Sequence, residues 1–266
     1  MANEERSVES LLYQVFDRAK RADEFQFAVA IIPVVRGLPP YGMDDPLRET
    51  EIFVHDMLGL MNAPLEYMTR LRLGLMAYVH MMECKPAYEE LSNILWIMAG
   101  GNAVPEPFGH LYEKGKNGRI IPPSARRIVN FLICQAKGVD EPVLADELES
   151  MFNDSIRNAV VHSDYFFHKG QFQTDWRRQG NPVKLVNGIS LEELSKIIVR
   201  GAQFFEALRS AAQTHRRSYK HPKLVIARID GQVNQVALLA NESWGLYGVD
   251  GRPDAQLIAA CTSQNF

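Results

Sequence analysis

Cysteine is scarce in this chain, and its scarcity argues against two kinds of site. The 266 residues include three cysteines, Cys84, Cys134 and Cys261. Their wide spacing provides neither the even-numbered framework of disulfide-stapled secreted domains nor a Cys-x-x-Cys metal pair. We therefore expect reduced thiols, a cytoplasmic location, and neither a metal ion nor another cofactor.

An excess of basic charge and a long apolar run are also missing. The 29 Lys and Arg residues against 32 Asp and Glu residues give a formal net charge of −3. No global positive field attracts nucleic acid, so any RNA contact must come from a local patch. The most apolar helical stretch, residues 71–82, is interrupted by Arg72 and His80 and is too short to cross a bilayer. The N-terminal sequence MANEERSVES has no apolar signal-peptide core, and we expect no membrane segment.

The common catalytic and nucleotide-binding motifs do not occur. The chain contains no P-loop, no GxSxG nucleophile turn, no HExxH zinc motif and no Rossmann fingerprint. His80, Glu83 and Cys84 are residue types that bind metals, but no second cluster completes a site, which favours a packing role. Three basic pairs could contact RNA phosphates, although such pairs are usually solvated surface: Arg126-Arg127, Arg177-Arg178 and Arg216-Arg217.

Hydrophobic periodicity predicts a mainly α-helical protein. Residues 49–102 are expected to form two or three helices. The run Phe27 to Val35 fits a strand or a buried helical turn equally well, and residues 36–50 are predicted to be a loop. The predicted helix starts are the N-caps Ser124, Asp140 and Ser190 and the first-turn prolines Pro64, Pro86 and Pro142.

The last part of the chain changes to a β pattern. The sequence KLVIARIDGQVNQVALLA predicts two strands joined by a turn at Asp230-Gly231, and SWGLYGVDGRPDA could add a third. We therefore predict a helical domain over residues 1–219 and a small β appendage over residues 220–266. The appendage is too short to fold well alone, so it should pack on the helices or on a partner chain.

The stretch NDSIRNAVVHSDYFF, residues 153–167, points to chemistry. We predict that it closes an amphipathic helix of about residues 143–162, with Arg157 and Asn158 on the polar side and His162 in the last turn. On a straight helix Arg157 and His162 lie about 140° apart. They could meet because arginine is long and the helix ends at His162, or because two copies pair across a two-fold axis.

These residue types suit the cleavage of a phosphodiester without a metal. A histidine ordinarily titrates near pH 6.5 and can move a proton, and an arginine can hold a phosphate and stabilise developing charge. Asn158 could orient the imidazole of His162 or bind phosphate, and Tyr165 could stack on a base or donate its hydroxyl. The structural alternative is a histidine favoured by the helix dipole and an arginine paired with Asp154 or Asn153.

The sequence IRNAVVHSDY resembles the Arg-x4-His signature of the HEPN superfamily (higher eukaryote and prokaryote nucleotide-binding). This resemblance, over about ten residues, implies a HEPN-like helical bundle that is frequently homodimeric. It implies that Arg157 and His162 are catalytic and that Asn158 and Tyr165 assist them. Many members are metal-independent endoribonucleases of toxin–antitoxin, phage-defence or RNA-processing systems, and others are non-catalytic nucleotide-binding or interaction modules.

Two functions follow as expectations from that resemblance. The first is an endoribonuclease that binds RNA or a nucleotide as a homodimer and could be held by an antitoxin or another protein partner. The second is an interaction module with the same fold and no chemistry. That module would dock its partner through the β tail and an aromatic arm from Tyr165 to Trp176.

Overall fold

The computed structural model of the chain describes residues 7–32, 46–174, 188–229 and 231–262. The helices are α1 (Val8–Ala22), α2 (Glu24–Ile31), α3 (Pro46–Met61), α4 (Tyr67–Met82), α5 (Lys85–Met98), α6 (Ala125–Gly138), α7 (Pro142–Met151), α8 (Asp154–Val161), α9 (Leu191–Arg217) and α10 (Ala255–Thr262). The strands are β1 (Glu113–Lys114), β2 (Ile120–Ile121), β3 (Tyr165–His168), β4 (Gln171–Thr174), β5 (Ile189–Ser190), β6 (Lys223–Ile229), β7 (Gln232–Asn241) and β8 (Gly245–Asp250). Helices dominate, which confirms the prediction of a mainly α protein.

The long helix α9 is the element around which the other helices pack. It contacts α1, α4 and α7. Its inward positions recur every three or four residues, which is the period of one helical face. The buried side chains on α9 include Leu194, Ile198, Phe204, Phe205, Leu208, Ala212 and His215. Gly201 belongs to this face because a Cβ at that position would lie only 2.8 Å from the ring of Tyr78 on α4.

Several predicted helix starts are confirmed. The hydroxyl of Ser124 accepts a hydrogen bond from the Arg127 N–H at the start of α6, and the hydroxyl of Ser190 accepts one from the Glu193 N–H at the start of α9. Pro86 and Pro142 lie in the first turns of α5 and α7, where a missing N–H leaves no helical hydrogen bond unmade.

Two predicted starts were wrong. Glu141, rather than Asp140, precedes α7, because Asp140 has a left-handed backbone with φ of 59° that belongs to the turn ending α6. Pro64 lies before α4 rather than in its first turn. The N-cap of α4 is Glu66, whose carboxylate accepts a hydrogen bond from the Thr69 N–H at 3.2 Å.

In the segment before α3, hydrophobic periodicity was not enough to predict the secondary structure. The ambiguous apolar run forms the end of helix α2 as far as Ile31, and its residues 33–35 lie outside the described residues. The predicted loop over residues 36–50 was wrong at its end, because α3 begins at Pro46. Proline is tolerated at the first helical position, so Pro46 can begin this helix.

The C-terminal strands form an antiparallel sheet in the order β6–β7–β8. All three predicted strands are present, and Asp230 of the predicted turn lies outside the described residues. Helix α10, which we did not predict, follows the sheet and contacts β6 and β7. The sheet packs on α2 and α9, and the Lys223 ammonium lies 2.7 Å from the Glu24 carboxylate of α2. Buried side chains of β6–β8 therefore join the helical core, among them Val225, Ala227, Val236, Leu238 and Leu246.

In the described part of the chain, none of the helices combines the length and the apolar character that a membrane span requires.

Candidate functional site

The helix that carries the motif is broken, which corrects the prediction of one helix over residues 143–162. Helix α7 ends at Met151, Phe152 and Asn153 have extended backbones, and a new helix, α8, begins at Asp154. The side-chain oxygen of Asn153 accepts a hydrogen bond from the Ile156 N–H at 3.0 Å, so Asn153 is the N-cap of α8. The direction of the motif residues is therefore set by α8 alone.

A buried tyrosine hydroxyl fixes this break. The Tyr78 hydroxyl donates to the Met151 carbonyl at 3.0 Å and accepts from the Asn153 N–H at 2.8 Å. It thus satisfies two of the backbone groups that the interruption of the helix leaves open. Burial raises the pKa of Tyr78 to about 12, so the hydroxyl keeps its proton at neutral pH. Tyr78 positions α8 without lying at the surface itself.

Replacing Tyr78 with phenylalanine should destabilise the protein by about 1–3 kcal/mol, because a buried N–H and a buried carbonyl would lose their partner. The measurement is urea unfolding followed by circular dichroism. Tyr67→Phe on the same helix is the matched control, because Tyr67 is 51% exposed. Equal midpoints for the two variants would show that the Tyr78 hydroxyl does not hold the break.

Arg157 lies on α8 against the end of α4. Its Nε and Nη2 atoms contact the Glu83 carboxylate, and Nη1 donates to the side-chain oxygen of Asn158. The Arg157 side chain is 16% exposed. The structural alternative considered from the sequence, a pair with a neighbouring Asp154 or Asn153, is thus replaced by an ion pair to Glu83, a residue 74 positions away.

His162 is exposed at the other end of α8. Its backbone N–H closes the helix on the Asn158 carbonyl at 3.0 Å, and Ser163 follows with a left-handed backbone at φ of 54°. Within the described residues, no hydrogen bond or ion pair joins Arg157 to His162. The structure therefore brings Arg157 and Asn158 together and leaves His162 about 7.5 Å further along the helix axis.

Tyr165 lies at the start of the hairpin β3–β4, half buried. Its ring stacks on Phe172 with a centroid distance of 5.2 Å and meets Phe167 edge-on at 5.8 Å. Strands β3 and β4 pair as a hairpin that turns at Lys169 and Gly170. The rest of the proposed aromatic arm, including Trp176, lies outside the described residues.

Arg72 is a neighbour of the motif that sequence reasoning missed. It lies on α4 with its guanidinium 5.7 Å from the centre of the Phe167 ring. Together with Ser163, Tyr165 and Phe166 it lines a shallow groove of about 420 Å³. The sequence signal was its interruption of the apolar stretch 71–82, because a charged side chain in an amphipathic helix lies off the apolar face.

The exposed face of α4 connects these features. Arg72, Met76, His80 and Glu83 succeed one another at helical spacing, and α8 packs on the same helix. Glu83 at the end of α4 contacts Arg157, whereas Arg72 near its start lines the groove with Ser163. Helix α8 therefore runs antiparallel to α4. We call this face of α4, with Arg157, Asn158, Val161 and His162 of α8, the motif surface.

His80 and Cys84 have structural environments. The His80 ring lies 4.3 Å from the Phe53 ring, and partial burial lowers the pKa of His80. Cys84 is buried at the start of α5, and burial raises the pKa of its thiol. Across residues 7–32, 46–174, 188–229 and 231–262, no group of three His, Cys, Asp or Glu side chains is arranged to hold a metal ion.

In comparisons with known proteins, no family model, no curated protein and no solved structure matches this chain. The resemblance of the motif to the HEPN signature thus stays a prediction.

Proposed function

We propose that this protein is a metal-independent endoribonuclease with a HEPN-like site on the motif surface, active as a homodimer in the cytoplasm. The observation that carries the proposal is the arrangement of α8. One short helix, held on α4, carries Arg157 and Asn158, which are partly exposed, and ends at the exposed His162. Such a set supplies a phosphate-binding cation and a proton-transfer group without a metal.

The proposed reaction uses the RNA's own nucleophile. The neutral imidazole of His162 takes the proton of a 2′-hydroxyl, whose oxygen attacks the adjacent phosphorus. The bond to the leaving 5′ oxygen breaks, and an imidazolium protonates that oxygen. The products are a 2′,3′-cyclic phosphate and a 5′-hydroxyl end, so atoms and charge balance without an added reactant.

Arg157 keeps donors for a phosphate despite its ion pair. A guanidinium has five N–H groups, and the contacts to Glu83 and Asn158 use three of them. The remaining N–H groups, one on Nη1 and one on Nη2, form the end of the guanidinium fork, which matches two phosphate oxygens. Glu83 and Asn158 would orient this fork toward the RNA.

The separation between Arg157 and His162 supports a site shared by two copies. If α8 of one copy pairs with α8 of another across a two-fold axis, antiparallel helices place the Arg157 of one beside the His162 of its partner. Val161 is 45% exposed on this face and would lie within the contact. Pairing of the two helices would remove this apolar side chain from water.

Arg157→Ala should abolish cleavage of a mixed RNA pool in EDTA, and mixing it with inactive His162→Ala should restore activity. Each mixed dimer contains one intact pair of Arg157 and His162, so about a quarter of wild-type activity is expected at equal amounts after subunit exchange. Cyclic-phosphate ends identify the product. Inactive mixtures of exchanged subunits would contradict the shared site, and absence of cleavage by folded wild type would contradict the enzyme itself.

A non-catalytic interaction module is the second candidate, and exposed apolar residues of the β appendage favour it. Trp244 is 70% exposed in the turn between β7 and β8, and Ile226 and Val233 are 61% and 67% exposed. An antitoxin or other protein could dock there. Deleting the appendage would uncover the core beneath it, so Trp244→Ala is the suitable variant. This candidate requires that wild type does not cleave RNA and that Trp244→Ala weakens binding of the protein partner.

A further inference from the structure

The groove beside the motif has the features of a nucleotide subsite. It lies between α4 and the start of the hairpin β3–β4, and Ser163, which lines it, directly follows His162. Its volume of about 420 Å³ falls within the range of small-molecule sites, roughly 300–1,000 Å³. The groove is open to solvent, so a strand could enter and leave it.

A cation and an exposed ring line the groove. No ion pair to Arg72 occurs among the residues that the structure describes, in contrast to Arg157 with its carboxylate partner. The Arg72 guanidinium lies near the Phe167 ring instead, which fixes its stem and leaves its N–H groups for a ligand. Phe166 is 44% exposed and can present its ring to a base. A positive charge beside a free aromatic surface is the combination that binds single-stranded nucleic acid.

We propose that this groove binds one nucleotide of single-stranded RNA next to the bond that is cleaved. Arg72 binds its phosphate, and Phe166 stacks on its base. The inference rests on the proposed function, because it extends the RNA path from His162 across Ser163 into the groove. Stacking on a phenylalanine accepts every base, so we expect a weak sequence preference at this position.

The experiment measures binding without cleavage. A fluorescein-labelled 2′-O-methyl oligouridine cannot be cut by attack of its 2′ oxygen, and fluorescence anisotropy reports its affinity over a series of salt concentrations. Arg72→Gln and Phe166→Ala should each weaken binding about tenfold. Arg72→Gln should also reduce the slope of log affinity against log salt by about 0.7, the value for one lost phosphate contact on a single strand.

Arg70→Gln is the matched control. Arg70 is exposed on the same helix, two residues from Arg72, and donates to the Leu65 carbonyl. The Arg70→Gln variant should keep the affinity and the salt slope of wild type. That result would exclude a general effect of losing one positive charge. Arg72→Lys should recover most of the salt slope while recovering less of the affinity, because lysine keeps the charge and loses the fork.

The proposal is overturned if Arg72→Gln and Arg70→Gln bind the oligonucleotide with equal affinity and slope, or if wild type does not bind it. Failure of the proposed reaction would give a different experimental result. Wild type would then bind the 2′-O-methyl strand through Arg72 and yet leave unmodified RNA intact.

Discussion

Replacing His162 with alanine should lower RNA cleavage in EDTA by about 10²- to 10⁴-fold, the usual contribution of a general acid–base group. His162 is exposed and closes the helix through its backbone N–H, which alanine retains. The fold should therefore survive the substitution. The measurement is the initial rate of cyclic-phosphate formation on a mixed RNA pool. Circular dichroism and the unfolding midpoint serve as the check that the variant is folded.

His55→Ala is the control for this prediction. The His55 side chain is 89% exposed on α3, so its removal should change neither the fold nor the rate. If His55→Ala keeps the wild-type rate and His162→Ala cleaves within twofold of it, His162 takes no part in the reaction. Equal loss in both variants would instead point to a contaminating nuclease that varies between preparations.

The ion pair between Arg157 and Glu83 does not prevent Arg157 from binding RNA. Glu83 is 39% exposed, so water screens the pair. Pairs that are open to solvent typically contribute about 0–1 kcal/mol. A bidentate contact to a phosphate is stronger than that, and it can form through the unused N–H groups without breaking the pair. The pair is better understood as a support that orders a long side chain before the ligand arrives.

Local sequence signals predicted the fold where the structure depends on neighbours in the chain. Ser124, Ser190 and Pro86 were identified correctly because a cap or a first-turn proline acts within three or four residues. The break before α8 was missed because its sequence signal is weak. An asparagine such as Asn153 can continue a helix or cap a new one. Which of the two occurs depends on the partner of its backbone N–H, and here that partner is the hydroxyl of Tyr78, 75 residues earlier.

The residues of the candidate site likewise divide into those that the sequence predicted and those that only the structure revealed. Arg157, Asn158 and His162 were identified from spacing along a single helix. Glu83 of α4 contacts Arg157, and Arg72 of the same helix lines the groove with Ser163, but only tertiary packing determines which face of α4 meets α8. Arg72 had been noted as an interruption of an apolar stretch, but one sequence cannot tell whether such a charge faces solvent or a neighbouring helix. The long-range contacts therefore needed the structure.

Arg209 forms the most deeply buried charge cluster among the residues described. Its side chain is 9% exposed on α9, and its Nη1 atom lies 3.1 Å from the carboxylate of Glu90 on α5, which is 1% exposed. Glu51 of α3 also contacts the guanidinium. Burial alone would lower the pKa of Arg209, but Glu90 and Glu51 outweigh it and raise that pKa, so the charge persists inside the protein. The cluster links three helices.

Arg209→Met should destabilise the protein by about 3–5 kcal/mol, because Glu90 would stay buried without its countercharge. Urea unfolding gives the free energy. Arg200→Met on the same helix is the control, since the Arg200 side chain is 52% exposed and lies 3.7 Å from Glu147, and it should change stability by less than about 1 kcal/mol.

Adding Glu90→Met to Arg209→Met should recover a large part of the loss, because the double variant also replaces the buried Glu90 carboxylate with an apolar side chain. The two single variants and the double variant form a double-mutant cycle. Its coupling energy separates the free energy of the Glu90–Arg209 interaction from the cost of removing only one partner. Simple addition of the two single losses would mean that Glu90 and Arg209 stabilise the fold independently, and that the cluster holds α3, α5 and α9 together by packing rather than by charge.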